Sequence, residues 1–199
     1  MKITQLNLVR QDWCKSKCVK VIVRYKHFGK QIINALSSHP LSDEEMTIVY
    51  RKVYNAFVEE IDGVDNGVNP WTGDSNYAVT TTLSRRVKFL YPSWTEPMSP
   101  QLESERFRLA CGLMLGEFAD RIHSQVDVLL PAREIVVKAL DNASSIHPSC
   151  EILLLERECP FMDHLMELES ERGIDGRTKF VLVQAKDGNW YVEGILLMV

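Results

Sequence analysis

Residues 57–71 read FVEEIDGVDNGVNPW, and residues 76–94 read NYAVTTTLSRRVKFLYPSW. An apolar helical pattern ends here in a cluster of acids and amides that contains Asp62, Asp65 and Asn66. Asp62 and Asp65 are three residues apart, so their side chains point the same way if the helix continues that far. Two adjacent carboxylates repel each other unless a cation, a proton or strong donors hold them. The cluster is a candidate divalent-metal or substrate site, and the alternative is a solvated helix end with an Asx turn.

The helix that leads into this cluster has the clearest signals in the chain. Ser42 is the predicted N-cap, and Glu45, three residues later, completes a capping box. The apolar stripe that follows at helical spacing consists of Met46, Val49, Val53, Phe57 and Ile61. This pattern predicts a buried helix that carries the acidic cluster to the edge of a packed core.

Periodicity and turn signals predict the remaining elements. Further helices are expected over residues 25–36, 78–90 and 100–140, with Pro131 kinking or interrupting the last. Strands are expected over 151–155, 180–184 and 190–192, the last two joined by an Asp187-Gly188 hairpin turn. The predicted fold class is α+β, with the helical N-terminal two-thirds packed against a small antiparallel sheet in the C-terminal third.

Composition places the chain among ordinary globular proteins. It has 199 residues and a net charge of −4, which argues against sequence-independent nucleic-acid binding by the whole surface but leaves room for a local basic groove. No apolar run approaches the length of a membrane span, so no membrane contact is expected. Of the five cysteines, Cys14 and Cys18 are a weak zinc-ligand pair, and reduced thiols in an intracellular compartment are the expected state.

A basic segment follows the acidic cluster along the chain. Arg85, Arg86 and Lys88 lie on the outward side of the predicted 78–90 helix. Cations beside a metal-capable acidic cluster suit a phosphate-bearing substrate, and a solvated helix face is the alternative. The chain contains no GxxxxGK[ST], GxGxxG, GxSxG or HExxH motif.

Several segments in order resemble one known family, the melanocyte-proliferating-gene family (UPF0160, also called "metal-dependent protein hydrolase") of the DHH phosphoesterase superfamily. The matching segments are YKHFGKQII, FVEEIDGVDNGV, YAVTTTLSRRV with YPSW, LPAREIV, ECPFMDHL and GNWYV. The resemblance implies a manganese- or magnesium-dependent nuclease, whose animal representatives are regarded as RNA exonucleases of the nucleus and mitochondrion. In that superfamily, acids and histidines hold two metal ions that activate water against a phosphodiester bond.

The chain departs from the family pattern in its metal-binding motifs. The family's HxGxFHxDE-like, DVG and DHH segments are not found, so the sequence resembles a product truncated at both ends, with residues 1–21 as an unmatched tail. Residues 22–199 are interpreted as a partial family region, mainly helical over 22–145 and mainly β over 146–199. The expectation is an isolated chain that lacks nuclease activity, or alternatively a non-catalytic RNA-binding or regulatory module that pairs with a full-length homologue.

The resemblance also assigns candidate residues and partners. Asp62 and Asp65 are the candidate ligands of a divalent metal, which two carboxylates alone would bind weakly. The candidate substrate-binding residues are Asn66, Thr81, Arg86 and Arg133, for which capping, loop bracing or ion pairing are the structural alternatives. No residue is assigned a catalytic role. The expected partners are RNA and either a second copy of the chain or a full-length homologue, in the nucleus or mitochondrion, or in the cytoplasm if a targeting sequence is lost.

Overall fold

The structure, a computed structural model, describes residues 21–73, 77–185 and 187–195. The proposed Cys14–Cys18 pair and most of the predicted tail lie outside these residues. The chain divides into two compact units, Met1–Val126 and Asp127–Val199. Helices dominate the first unit and a small sheet with helices forms the second, which confirms the α+β class.

The N-terminal unit is built from helices whose ends follow local sequence signals. Its elements are α1 (Val21–Leu36), α2 (Asp43–Val53), a π-helical segment π1 (Tyr54–Val58), α3 (Glu59–Asp65), α4 (Leu83–Lys88) and α5 (Pro100–His123). Ser42 caps α2 and forms the predicted capping box with Glu45, since each side chain accepts a backbone N–H from the other residue. Ser99 caps α5, accepting the N–H of Leu102, and Pro100 occupies the first turn.

The predicted apolar stripe of α2, π1 and α3 is the core of this unit. Met46, Val49, Val53, Phe57 and Ile61 are all buried, as expected. Their burial continues through π1, where the N–H of Glu59 bonds to the carbonyl of Tyr54, five residues back, rather than to the carbonyl four residues back as in an α-helix. Val58, which lies in this wider turn, is buried as well. The sequence pattern did not predict the π-helical turn.

An aromatic cluster joins α1 to this core. The rings of Tyr25 and Tyr50 are stacked with centroids 4.6 Å apart, and the edge of Tyr25 faces Phe118 of α5. The hydroxyl of Tyr25 donates to the Tyr50 carbonyl at 2.7 Å, and burial, followed by the neighbouring Tyr50, raises the pKa of Tyr25. Gly29 makes this approach of the two helices feasible, because a Cβ there would lie 2.8 Å from Cε2 of Tyr50.

The helix predicted over 78–90 is shorter in the structure, which corrects that prediction. Only Leu83–Lys88 is helical, and the side chain of Thr82 caps it by accepting the N–H of Arg85. Residues 78–81 are irregular because the threonines before Leu83 favour extended backbone and caps over helix interiors. Arg85, Arg86 and Lys88 are exposed, as predicted.

The C-terminal unit holds a three-stranded sheet with helices packed on it. A second π-helical segment, π2 (Ser124–Leu129), follows α5 and ends two residues before Pro131. The elements that follow are α6 (Leu130–Asp141), α7 (Ala143–Ile146), β1 (Ile152–Leu155), α8 (Met162–Glu171), β2 (Phe180–Gln184) and β3 (Trp190–Gly194). Pro131 is predicted to kink or interrupt the helix, and in the structure it lies in the first turn of α6, where a missing N–H costs no helical hydrogen bond.

The sheet is mixed, so the prediction of an antiparallel sheet is wrong for one of its two strand pairs. β2 and β3 are antiparallel around Asp187 and Gly188, with Phe180 opposite Gly194, which confirms the hairpin. β1 and β2 are parallel, with Ile152 opposite Phe180. The difference arises because α8 crosses over between β1 and β2, and such a crossover returns the chain in the same direction.

One core cluster holds the C-terminal unit together. The buried side chains come from α6, α7, β1, α8 and β2, namely Ile135, Val136, Ala139, Ala143, Leu153, Leu155, Leu165, Leu168 and Val181. α8, a ten-residue helix that the sequence analysis did not predict, contributes Leu165 and Leu168 to this core. In the part of the chain that the structure describes, no helix is both long enough and apolar enough to cross a membrane.

Candidate functional site

The acidic cluster lies at the C-terminal end of α3, where the chain leaves the helix through a glycine turn. Gly67 has a φ of 69°, its N–H bonds to Val64, and the N–H of Val68 bonds to Gly63. These bonds form a Schellman motif. Asn66 takes part in the same termination, since its Nδ2 donates to the Asp62 carbonyl at 2.7 Å. The sequence signal of acids, amides and glycines thus marks a helix end, whether or not it also marks a site.

The two carboxylates of this cluster have different surroundings. Asp65 is exposed, whereas Asp62 is half-buried. The Oδ1 atom of Asp62 is buried and has no hydrogen-bond partner among the described residues. A buried carboxylate oxygen without a donor is costly, so this atom is a natural acceptor for a cation or a ligand donor.

The donor atoms of this cluster are of a type that suits a divalent metal. Asp62 and Asp65 carry carboxylate oxygens, the kind of ligand that manganese and magnesium prefer. Within residues 21–73, 77–185 and 187–195, no group of three histidine, cysteine, aspartate or glutamate side chains comes together at one point. A metal held here by the described residues would therefore draw its remaining ligands from water, substrate or other parts of the protein.

Thr81 and Arg86 lie around α4 in the same N-terminal unit. Thr81 is exposed in the irregular segment before α4. Helix capping was one structural alternative for Thr81, but the residue that caps α4 is its neighbour Thr82. Arg86 donates through Nη1 to Oε1 of Glu117 on α5 at 2.7 Å, while about half of its side chain stays exposed. This ion pair engages one terminal nitrogen of the guanidinium group, so its other N–H donors can face solvent.

Arg133 belongs to the C-terminal unit, whereas the other candidate residues belong to the N-terminal unit. Its side chain is largely buried on α6, with Nη2 2.6 Å from Oε2 of Glu171 and Nη1 3.7 Å from Oε2 of Glu167. Both carboxylates are on α8, so Arg133 ties the two helices together. These contacts favour the structural alternative for Arg133.

A cleft of about 430 Å³ lies in the C-terminal unit near the carboxyl ends of the parallel strands β1 and β2. Its lining includes Pro131 of α6, Arg157 and Cys159 after β1, and Gln184 at the end of β2. Clefts at this edge of parallel sheets often bind ligands. Burial raises the pKa of the Cys159 thiol despite the nearby Arg157, which disfavours the reactive thiolate form.

Sequence reasoning missed one feature of the N-terminal unit, a set of aromatic side chains that point into solvent after α4. Phe89, Tyr91 and Trp94 are exposed, with Trp94 at 95%. The signal was present in the sequence, because three aromatic residues follow a basic helix within a segment that also contains Pro92 and Ser93.

Comparison with known proteins gives matches along nearly the whole chain. The profile MYG1_exonuc, described as an uncharacterised protein family (UPF0160), matches residues 15–198. The "MYG1 protein" of Dictyostelium discoideum is 38% identical over 173 residues, which cover 86% of this chain and 52% of that protein. The "MYG1 exonuclease" of Mus musculus is 38% identical over 171 residues, covering 85% of this chain and 44% of the mouse protein.

A more distant relative matches a slightly longer part of the chain. The "MYG1 protein YER156C" of Saccharomyces cerevisiae is 29% identical over 188 residues, covering 91% of this chain and 56% of the yeast protein. The chain thus spans about half the length of the curated relatives it matches. No solved structure matches it.

Proposed function

The chain belongs to the UPF0160 (MYG1 exonuclease) family, and from this membership we propose that it forms the substrate-facing part of a metal-dependent nuclease that acts on RNA. The observation that carries the proposal is the match over residues 15–198 together with 38% identity to a protein named an exonuclease. The substrate, the metal and membership of the DHH superfamily are parts of the proposal and rest on the resemblance of the motifs.

The acidic end of α3 is the part of the chain assigned to the metal. Asp62 contributes a buried oxygen without a donor, and Asp65 contributes an exposed carboxylate one helical turn later. A bound divalent cation would supply charge stabilisation for phosphodiester hydrolysis. The chain's own contribution there is to hold two carboxylates on one helix end, fixed by the turn at Gly67.

Arg86 is assigned to the phosphates of the substrate. Its ion pair with Glu117 orients the guanidinium group, and its exposed donors are of the kind that form bidentate bonds to phosphate oxygens. Asn66 and Thr81 are exposed polar residues of the same unit and remain secondary candidates for substrate contact. Arg133 is a weaker candidate because its side chain is buried against two carboxylates.

The 199-residue chain is expected to bind RNA without cutting it. The HxGxFHxDE-like and DHH segments that the resemblance associates with metal binding are not among its residues, so its two aspartates would hold a metal weakly. The experiment incubates the chain with 5′-labelled single-stranded RNA and manganese and follows both binding and cleavage. Arg86→Ala should weaken binding several-fold, whereas Arg177→Ala, an exposed arginine of the other unit, should not.

Two results would contradict parts of this proposal. No detectable RNA binding at low salt would overturn the substrate-facing role. Robust manganese-dependent cleavage that disappears in Asp65→Ala would support a nuclease and overturn the expected inactivity of the chain alone.

A further inference from the structure

The segment after α4 presents an aromatic surface that the fold does not use. Phe89, Tyr91 and Trp94 have exposed fractions of 81%, 61% and 95%, and together they form what we call the aromatic loop. Each ring exposes apolar surface to water, and removing that surface from water would be energetically favourable. Neighbouring exposed apolar side chains of this size mark interaction sites more often than isolated ones do.

The aromatic loop is held in place by bonds of its own. The N–H of Tyr91 bonds to Lys88, and the carboxylate of Glu96 accepts the Ser93 N–H at 2.7 Å. The same carboxylate pairs with Arg106 of α5 at 3.1 Å, which anchors the loop to that helix. The rings are therefore presented on braced backbone, so a ligand would bind them without first ordering the loop.

Positive charge immediately precedes the rings along the chain. Arg85 and Lys88 are exposed on α4, and within the described ranges neither forms an ion pair. The nearby acid Glu117 is paired with Arg86, and Glu96 is paired with Arg106. The local balance is thus cationic although the chain as a whole carries a net charge of −4.

Exposed cations followed in the same segment by exposed aromatic rings suit a single-stranded nucleic acid. Its phosphates attract the cations, and its unpaired bases stack on aromatic side chains regardless of sequence. A purely apolar protein partner would account for the rings but would gain nothing from Arg85 and Lys88, which it would have to desolvate.

We propose that the aromatic loop is a stacking platform for single-stranded RNA, with Trp94, Tyr91 and Phe89 contacting bases while Arg85 and Lys88 contact the flanking phosphates. This inference rests on the proposed function and adds residues and a binding chemistry to it. It makes binding tolerant of sequence, because every base offers a face for stacking.

The test compares variants of the full 199-residue chain in binding to a labelled oligouridylate and to an abasic phosphodiester strand of equal length. Trp94→Ala should weaken oligouridylate binding about five- to tenfold, and Trp94→Phe should retain most of it. The matched control is Trp190→Ala, which removes an exposed tryptophan of β3 and should leave affinity unchanged. The abasic strand should bind more weakly than oligouridylate and should be insensitive to Trp94→Ala.

The outcomes separate this inference from the proposed function. If the unaltered chain binds RNA and Arg86→Ala weakens it, but Trp94→Ala behaves like Trp190→Ala, the stacking platform is wrong and the proposed function stands. If the unaltered chain does not bind RNA, both the proposed function and the stacking platform are wrong. If Trp94→Ala leaves RNA binding unchanged and instead abolishes self-association in sedimentation, the loop is a protein interface and the inference is overturned.

Discussion

Glu169 is a buried carboxylate that holds the turn leading into β2. Its oxygens accept the N–H groups of Gly176 and Thr178, each at 2.8 Å, and its side chain is almost fully buried. Sequence alone shows one more acid in an acidic helix. A usable signal was present, because Glu169 is four residues after Leu165 and so falls on the buried face of α8.

Replacement of Glu169 should therefore destabilise the C-terminal unit. Glu169→Ala leaves two backbone N–H groups without an acceptor, and we expect the free energy of unfolding to fall by about 2–3 kcal/mol. Urea unfolding followed by circular dichroism measures the change. Glu156→Ala, at an exposed position before α8, should stay within about 0.5 kcal/mol. Equal urea midpoints for the two variants would contradict this prediction, and would show that water replaces Glu169 as the acceptor for the N–H groups of Gly176 and Thr178.

Arg133 illustrates how a residue's surroundings decide between two roles that sequence leaves open. The LPAREIV motif identifies the residue but not its partners, and the structure buries it against Glu167 and Glu171 of α8. Those acids are distant in sequence, so the ion pairs follow only from the packing of α6 on α8.

Arg133→Met tests the structural role directly. It should lower the free energy of unfolding by about 1–2 kcal/mol, a modest loss because Glu171 remains half in water after its partner is removed. RNA affinity should change less than twofold, in contrast to Arg86→Ala. A large loss of RNA binding with unchanged stability would instead assign Arg133 to the substrate.

The N-termini of α2 and α5 and the apolar stripe that begins in α2 are the features that the sequence predicted well. The capping box of Ser42 and Glu45, the Ser99-Pro100 start of α5 and the stripe from Met46 to Ile61 depend on contacts within a few residues. The π-helical segments were not predicted, because extra residues in a helical turn are selected by tertiary packing or, in π2, by Pro131.

The capping box gives α2 a dependence on pH that can be measured. Hydrogen bonds from the side chain and the backbone of Ser42 hold the pKa of Glu45 below its ordinary value of 4.5. The ionised carboxylate is thus favoured in the folded state, so its contribution is present above pH 4.5 and is lost as the pH falls through the lowered pKa.

Glu45→Gln should remove this dependence while keeping an acceptor for the Ser42 N–H. At pH 7 the variant should be less stable by about 0.3–1 kcal/mol, since it loses the charge at the helix N-terminus. The difference should shrink towards zero in unfolding experiments at progressively lower pH below 4.5. Glu105→Gln on the exposed side of α5 is the control for general effects of net charge. A difference that persists unchanged in acid would mean that packing, not charge, is responsible.

The close approach of α1 and α2 depends on Gly29. Gly29→Ala places a Cβ 2.8 Å from Tyr50 and 3.0 Å from Tyr25, so the stacked rings must separate and stability should fall by about 1–3 kcal/mol. Gly112→Ala is the matched control, because a Cβ in this part of α5 meets no atom within 4 Å. Alanine's better helix propensity should make that variant about 0.5–1 kcal/mol more stable. Thermal unfolding shows whether each variant is more or less stable than the unaltered chain. Stabilisation by both substitutions would show that the stacking of Tyr25 on Tyr50 does not depend on a glycine at position 29.

Sheet topology and the grouping of candidate residues belong to the whole molecule. The β2–β3 hairpin was predictable from Asp187-Gly188 because its turn is local. The parallel pairing of β1 with β2 was not, since it depends on how α8 packs between distant segments. The division of the candidate residues between the two units was also not predictable from local signals, because Asp62 and Arg86 belong to the first unit and Arg133 to the second.

The balance of charge over the whole chain leads to a prediction about salt. With a net charge of −4, the surface as a whole repels RNA, and among the described residues the cations of the proposed site, Arg85, Arg86 and Lys88, are the ones expected to contact phosphates. Three such contacts on a single strand give a slope of about −2 for log Kobs against log salt concentration. Fluorescence anisotropy over a series of potassium chloride concentrations measures this slope. Lys88→Ala should make the slope shallower by about 0.7, because one phosphate contact is lost.

The slope also separates charge from stacking within the same surface. Trp94→Ala should lower affinity at every salt concentration without changing the slope, since stacking on a ring releases no counterions. Lys88→Ala therefore changes the slope of the salt plot, whereas Trp94→Ala lowers the whole line without changing its slope. A slope near −5 in the unaltered chain would require more phosphate contacts than these three cations provide. RNA would then follow a wider basic path than α4 and the aromatic loop.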